Sequence, residues 1–234
     1  MSDVPIRTRL YLVRHCQVRN PDGILYGHLP DFPLSEAGVQ QAHRLGRHLA
    51  AAPARQIYTS PLERAVQTAE IISSHLDGAT ITVTDELTEA RFGLYLQGVR
   101  PRDVLWRRPL WFVHMMRPGL LGRDERVAGM AARVAAPLHR LLTDHPGTGG
   151  ICVSHGDPIQ AFWVKADGRR DWSLHRLQCA KGGMLVLDYE GERLAGRRYV
   201  PPEEVDDPGP ERATAGVGAA EGSASVSAAD ATQA

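Results

Sequence analysis

The sequence predicts an α/β fold, a three-layer α/β/α sandwich in which helices cover a mostly parallel central sheet. Short apolar β-like runs alternate with stretches of helical periodicity through the first 200 residues, the pattern of such a sandwich. Two of the apolar runs, Leu10-Tyr11-Leu12-Val13 and Ile151-Cys152-Val153, lead into Arg14-His15 and Ser154-His155-Gly156. In an open parallel sheet the carboxyl ends of the strands share one edge and ligands bind there, so the two histidines can converge on one substrate. With 234 residues, 43% of them hydrophobic, the chain can build one sizeable core.

Leu10-Tyr11-Leu12-Val13 is the first expected strand. Ser35 is a plausible N-cap for a helix on which Val39, Ala42, Leu45, Gly46 and Leu49 fall at helical spacing. Gln56-Ile57-Tyr58-Thr59 is the second strand, and Pro61 suits the first turn of a helix with Ala65, Thr68, Ala69 and Ile72 on one face. Ile81-Thr82-Val83 is the third strand, followed by a loop over residues 86–98 with a turn at Phe92-Gly93. A helix over residues 128–143 leads through Asp144-His145-Pro146-Gly147 into the strand ending at His155. Residues 184–189 and 193–200 flank Glu190-Gly191 as a closing hairpin. Residues 201–234 are Pro, Gly, Ala, Ser and acidic residues without aromatics, a composition expected to stay disordered. The expected organisation is one domain over residues 1–200 and this acidic tail.

Basic and acidic residues both total 27, but seven acids and one arginine lie in the tail, leaving 26 bases against 20 acids in the domain. That excess suits small anions without reaching the level of a nucleic-acid binder. Only Lys165 and Lys181 are lysines. An arginine bias favours bidentate anion contacts and equally reflects a GC-rich genome. Three cysteines (Cys16, Cys152, Cys179) without C-x-x-C spacing indicate neither a disulfide framework nor a structural zinc, and a reducing cytoplasm is the expected location. No apolar stretch approaches a bilayer span and no secretory h-region is evident, so a protein off the membrane is expected.

A neutral imidazole available near pH 7 can attack phosphorus when its other ring nitrogen is held, which makes His15 a candidate nucleophile. Arg14 adjoins it, Arg64 follows the second strand end, and His155 closes another. Four basic groups at one sheet edge would repel one another without an anion, and a phosphoryl group is the natural occupant. Release of an alkoxide then needs a proton. Glu89 is the candidate general acid, since a carboxyl beside a phosphate dianion stays protonated, and Glu86 competes by position.

Five ordered blocks extend this reading: Leu12-Val13-Arg14-His15, Asp31-Phe32-Pro33-Leu34-Ser35-Glu36-Ala37-Gly38, Ser60-Pro61-Leu62-Glu63-Arg64-Ala65-Val66-Gln67-Thr68-Ala69, Glu86-Leu87-Thr88-Glu89 and Val153-Ser154-His155-Gly156. Together they resemble the histidine phosphatase superfamily, in its phosphoglycerate mutase-like branch, over residues 9 to about 190. The resemblance implies a phosphoglycerate mutase-like fold and phosphorylation of His15. It implies that Arg14, Arg64 and His155 bind the transferring phosphoryl, that Glu89 is the proton donor and that Asn20 is a further phosphate contact.

The chain also departs from that pattern. Glycine and threonine usually follow the family's first histidine motif, where Cys16 and Val18 stand here, and Tyr95-Leu96-Gln97-Gly98 lacks a usual glutamate. Cys16 either narrows the pocket as an oxidisable thiol or packs under the strand end. Residues 100–126 interleave arginines, Arg107 and Arg108 among them, with Trp106, Trp111, Phe112, Met115 and Met116. They read either as a lid in which Arg107 and Trp111 select an anionic substrate with an apolar body, or as a helical cap with core aromatics and solvated arginines.

The expected function is phosphomonoester hydrolysis through a phosphohistidine, on a small phosphorylated metabolite. No metal or other cofactor is required, because arginines and His155 supply the charge. A phosphoglycerate-type mutase is the first alternative, although no lysine lies between Glu89 and Arg126 to match the family's mutases. A non-catalytic phospho-ligand-binding or scaffold protein is the second. The expected partner is a small phosphoester, with neither nucleic acid nor membrane; substrate identity and oligomeric state are not legible in the sequence.

Overall fold

In the computed structural model of the chain, which describes residues 5–91, 96–116 and 125–205, alternating side chains explain how the sheet is covered on both faces. The strands are β1 (Arg7–Arg14), β2 (Gln56–Thr59), β3 (Thr80–Val83), β4 (Gly150–Ser154), β5 (Met184–Glu190) and β6 (Arg193–Val200). They form one sheet in the order β3-β2-β4-β1-β5-β6. The pairs β3/β2, β2/β4 and β4/β1 are parallel, whereas β1/β5 and the β5/β6 hairpin are antiparallel.

The helices are α1 (Glu36–Leu49), α2 (Glu63–Ser73), α3 (Val104–Arg107), α4 (Trp111–Met116), α5 (Val127–Asp144) and α6 (Gly156–Ala166). Tyr11, Val13, Ile151, Val153, Met184 and Val186 pack on one face with Ala42, Leu45 and Leu49 of α1 and Ala65, Ala69 and Ile72 of α2. Their neighbours Leu10, Leu12, Cys152, Leu185 and Leu187 turn to the other face, against Val134, Leu138 and Leu141 of α5 and Ile159 and Phe162 of α6. Period-two alternation in strands buried on both sides makes the three layers.

Ser35 caps α1 as expected, its hydroxyl accepting from the Gly38 N–H at 3.1 Å. Pro61 lies outside α2, whose N-cap is Leu62, so it shapes the preceding bend and not the first turn. α6 opens on Gly156-Asp157-Pro158, a breaker-like run, and has no counterpart among the expected elements. The chain also continues past the expected boundary at 200: Pro202–Glu204 forms a 3₁₀ turn, and Val205 is buried beside the α1/α2 layer. The remaining tail from 206, the Phe92-Gly93 turn, Tyr95, Arg117, Arg123 and the side chain of Met115 lie outside the described residues.

Gly38 lets the first turn of α1 approach the chain just after the first histidine. A Cβ there would lie 1.9 Å from the Gln17 carbonyl oxygen. Gly38→Ala is expected to cost about 3 kcal/mol or more in urea denaturation, beyond ordinary overpacking because the obstacle is backbone.

Candidate active site

The sheet register places the reactive groups. Arg14 pairs with Ser154 and Thr59 with Val153, so His15, Ser60 and His155 leave neighbouring strand ends together. The turn is tied by His15 N–H to Ser154 O at 2.9 Å and Ser60 N–H to Val153 O at 3.0 Å. Both histidines are fully buried, with ring centroids 5.1 Å apart.

The protonation pattern follows from their partners. His15 Nδ1 lies 2.8 Å from the Cys16 carbonyl, which only accepts, so the proton sits on Nδ1 and the Nε2 lone pair is exposed to the pocket. His155 Nε2 lies 2.8 Å from Ser60 Oγ, which already accepts from the Leu62 N–H. With the serine hydroxyl donating to Nε2, the His155 proton sits on Nδ1, the ring nitrogen that faces Glu89 Oε2. Burial, reinforced by Arg64 and Arg14, holds the His15 imidazole well below its ordinary pKa. Burial followed by His15 and the arginines does the same for His155. Both rings are thus neutral near pH 7.

Arg14 donates to the Cys179 carbonyl, and a Cβ on Gly156 would stand 3.1 Å from its guanidinium carbon. Arg64, on α2, donates to the Gly27 carbonyl at 2.7 Å and lies over the Tyr26 ring, 4.8 Å from its centroid. Neither arginine has a carboxylate partner within salt-bridge distance among the described residues. Arg14 Nε, Arg64 Nε, His15 Nε2 and His155 Nδ1 are buried without a hydrogen-bond partner. Each such group costs about 1–3 kcal/mol unless paired, and together they offer donors and one lone pair suited to a compact oxyanion.

Glu89 and Glu86 part company. Glu86 turns to α5, where Arg140 holds it bidentately and lowers its pKa. Glu89 faces His155 instead, with Oε2 3.9 Å from Nδ1, while Oε1 accepts from the Ala90 N–H at 2.9 Å. Burial first, and then the neighbouring Asp157 carboxyl, push the Glu89 pKa up to about 7. Burial raises Asp157 as well, so this carboxyl pair prefers to keep a proton.

Arg133 of α5 holds the acid loop. It donates to the carbonyls of Glu86 and Thr88 at 2.8 and 2.6 Å and grips Glu125 at 2.6 and 2.9 Å. Arg133→Met would strand that carboxylate and two carbonyls; it is expected to cost about 2–3 kcal/mol in thermal unfolding and to raise KM and lower kcat together.

The structure brings His15, Arg14, Arg64, His155 and Glu89 together, and treats the other expected site residues differently. The Asn20 amide closes its own loop, donating to Ile24 O at 2.8 Å and accepting from Ile24 N–H at 3.2 Å. Arg107 is exposed on α3, and Trp111 meets Phe112 edge to face at 6.5 Å. Neither contacts the pocket groups among the described residues. Trp106 is 88% exposed and Phe112 61%, so these aromatics are not core.

Cys16 resolves toward packing: it is wholly buried, its thiol is pushed up to about 12, and its N–H donates to Thr68 Oγ1 at 3.1 Å. Thr68 in turn donates to the Arg64 carbonyl at 2.7 Å, linking nucleophile loop and α2. Val18 is buried in a bridge to Leu34. Sequence reasoning missed Ser60, Tyr26, Asp157, Arg133 and Lys181. Asp157, two residues after His155, and Lys181, one of two lysines, carried a signal; Arg133 carried none, the carbonyls it holds lying over 40 residues away. Among the described residues no group of three or more His, Cys, Asp or Glu is placed to hold a metal ion. No helix among them is long and apolar enough to cross a membrane.

Fold and site define a class: an α/β protein with paired neutral histidines, flanking arginines and a protonatable carboxyl at one sheet edge, an arrangement matched to phosphoryl chemistry. The chain belongs to the histidine phosphatase superfamily (branch 1), whose profile matches residues 10–200. The uncharacterized protein Rv0525 of Mycobacterium tuberculosis is 34% identical over 202 residues, 85% of this chain and 98% of that protein. Probable phosphoglycerate mutase GpmB of Salmonella paratyphi C is 28% identical over 197 residues, 82% of this chain and 90% of its own. Among solved structures, Bacillus stearothermophilus YhfR matches with a TM-score of 0.70 at 26% identity, covering 80% of this chain and 95% of that one. The mycobacterial glucosyl-3-phosphoglycerate phosphatase shares the fold, with a TM-score of 0.68 at 23% identity over 82% and 97% of the two chains. The α/β class and the family expected from the sequence both hold.

Proposed function

We propose that the chain hydrolyses a small phosphomonoester through a phosphohistidine at His15. The observation that carries this is an unpartnered His15 Nε2 beside His155, whose own Nδ1 faces a Glu89 carboxyl with a pKa of about 7. The Nε2 lone pair attacks phosphorus, the bond to the alcohol oxygen breaks, and Glu89 gives that oxygen its proton. Water then attacks the phosphohistidine, the Glu89 carboxylate takes a proton from it, and the N–P electron pair returns to Nε2 as phosphate leaves. Arg14, Arg64 and the Nδ1–H of His155 stabilise the equatorial oxygens in both steps. A carboxyl with a pKa near working pH serves equally as acid and as base. The substrate is a phosphorylated metabolite, and the free, buried cysteines suit a reducing cytoplasm.

The likeness to probable phosphoglycerate mutases favours one second reading, return of the phosphoryl to another hydroxyl of a sugar acid. Assay on 3-phosphoglycerate with 2,3-bisphosphoglycerate separates the two. Phosphate release matching or exceeding isomerisation is expected; isomerisation far ahead of release would make the protein a mutase.

A further inference from the structure

We propose that Lys181, with Tyr26, forms a subsite beside His15 that receives a second anionic group of the substrate, a carboxylate on the phosphomonoester's carbon skeleton; this rests on the hydrolase reading above.

The backbone carrying Lys181 is wrapped around the nucleophile. The Gly182 N–H is shared between the carbonyls of Arg14 and His15, both at 3.2 Å, and Arg14 N–H donates to Gly183 O at 2.9 Å. Gln41 holds the Lys181 carbonyl through Nε2 at 3.2 Å. Gly182 has φ +77°, and a Cβ there would stand 3.1 Å from the Gln41 amide, so this turn has little freedom. From it the half-buried Lys181 side chain reaches to 5.5 Å from the centre of the Tyr26 ring. That ring lies edge-on to His15 at 6.5 Å and is backed by Phe32, stacked at 5.0 Å. Tyr26 is thus a wall shared by nucleophile, Arg64 and Lys181.

Charge defines what the subsite takes. No carboxylate among the described residues pairs with Lys181, whereas the other lysine, Lys165, is held by Asp171 at 2.5 Å. Burial, with Arg14 and Arg64 next, lowers the Lys181 pKa, which is the mark of three cations crowded together. A phosphomonoester dianion balances the two arginines, since its second pKa is about 6. With Glu89 protonated for its role as acid, the other nearby carboxyl, Asp157, lies against Glu89 and Arg14, and the Lys181 ammonium has no carboxylate of its own among the described residues. One further negative group on the substrate balances it, and a lysine ammonium on a flexible stem meets a carboxylate without demanding the planar geometry of arginine.

3-Phosphoglycerate and glycerol 3-phosphate differ only in a carboxylate replaced by a hydroxymethyl group, and they provide the test. Wild type is expected to favour 3-phosphoglycerate in kcat/KM for phosphate release by roughly 10- to 100-fold, the range of a hydrogen bond to a charged group. Lys181→Met should collapse that ratio toward one, mainly through KM, while Lys165→Met preserves it. A wild-type ratio near one, or equal losses on both substrates in Lys181→Met, would overturn the subsite; equal losses would assign Lys181 to the phosphoryl group itself. Calorimetric Kd values for both compounds on His15→Ala read the same preference without turnover. A preserved binding preference with no phosphate released from any ester, p-nitrophenyl phosphate included, would support the subsite and sink the hydrolase reading.

Discussion

His15→Ala is expected to abolish acid-labile phosphate on protein quenched during turnover and to lower kcat by roughly four orders of magnitude or more. The imidazole forms and breaks the bond to phosphorus, and among the described residues no other unpartnered nucleophile faces the pocket: the Cys16 thiol, with its pKa at about 12, is buried in the core. Trapped phosphate at unchanged level in the variant would reject His15 as nucleophile. The same substitution has a pH signature in stability. His15 and His155 are held neutral, their folded-state pKa values well below the ordinary 6.5. Their contribution is therefore present above pH 6.5 and lost as pH falls toward the folded-state pKa values, because the unfolded chain takes up protons first. The melting temperature of wild type should fall more steeply from pH 7 to pH 5 than that of His15→Ala.

Glu89→Gln is expected to reduce kcat/KM on alkyl phosphates by roughly 10²- to 10⁴-fold, the span of a lost general acid. An aryl ester such as p-nitrophenyl phosphate leaves without a proton, so its first step should be nearly spared. The second step still lacks its base. A burst of nitrophenol followed by slow turnover, with phosphohistidine accumulating, is the expected trace; equal losses on alkyl and aryl esters, without a burst, would remove Glu89 from the proton path. In wild type the alkyl-phosphate kcat/KM should fall as pH rises through about 7, where the acid form is lost, and Glu89→Gln should erase that limb. Stability carries the matching sign. A carboxyl raised from 4.5 to about 7 stabilises the fold fully below pH 4.5, and that contribution is lost as pH climbs through 7. Above pH 7 the glutamine variant should therefore melt later relative to wild type than it does at pH 5.

Strands such as Gln56–Thr59 were legible because β-branched and aromatic residues alternate between breakers. α1 was legible because an N-cap serine precedes one clean apolar stripe. α6 was not: Ile159, Ala161, Phe162 and Val164 bury most of its circumference, so no amphipathic stripe survives, and its opening Gly-Asp-Pro reads as a turn. In the site, the histidines and Arg14 stood at strand ends and Arg64 in the helix just after one, where the pattern itself points. Asn20, Arg107 and Trp111 did not follow, because their partners are set by the loop around Asn20 and by the surface path of α3 and α4.

Local pattern by itself determined the α/β class, the family, and the placing of His15 and His155 at strand ends, because strand periodicity and short ordered motifs are properties of neighbours in the chain. The tertiary structure decided which glutamate faces His155, that the Cys16 carbonyl sets the His15 tautomer, that burial and then Asp157 push the Glu89 carboxyl up to about 7, and that Lys181 stands at the pocket. Each of these depends on through-space distances and desolvation between residues far apart in sequence, and such quantities come into being only when the sheet register brings the strand ends together.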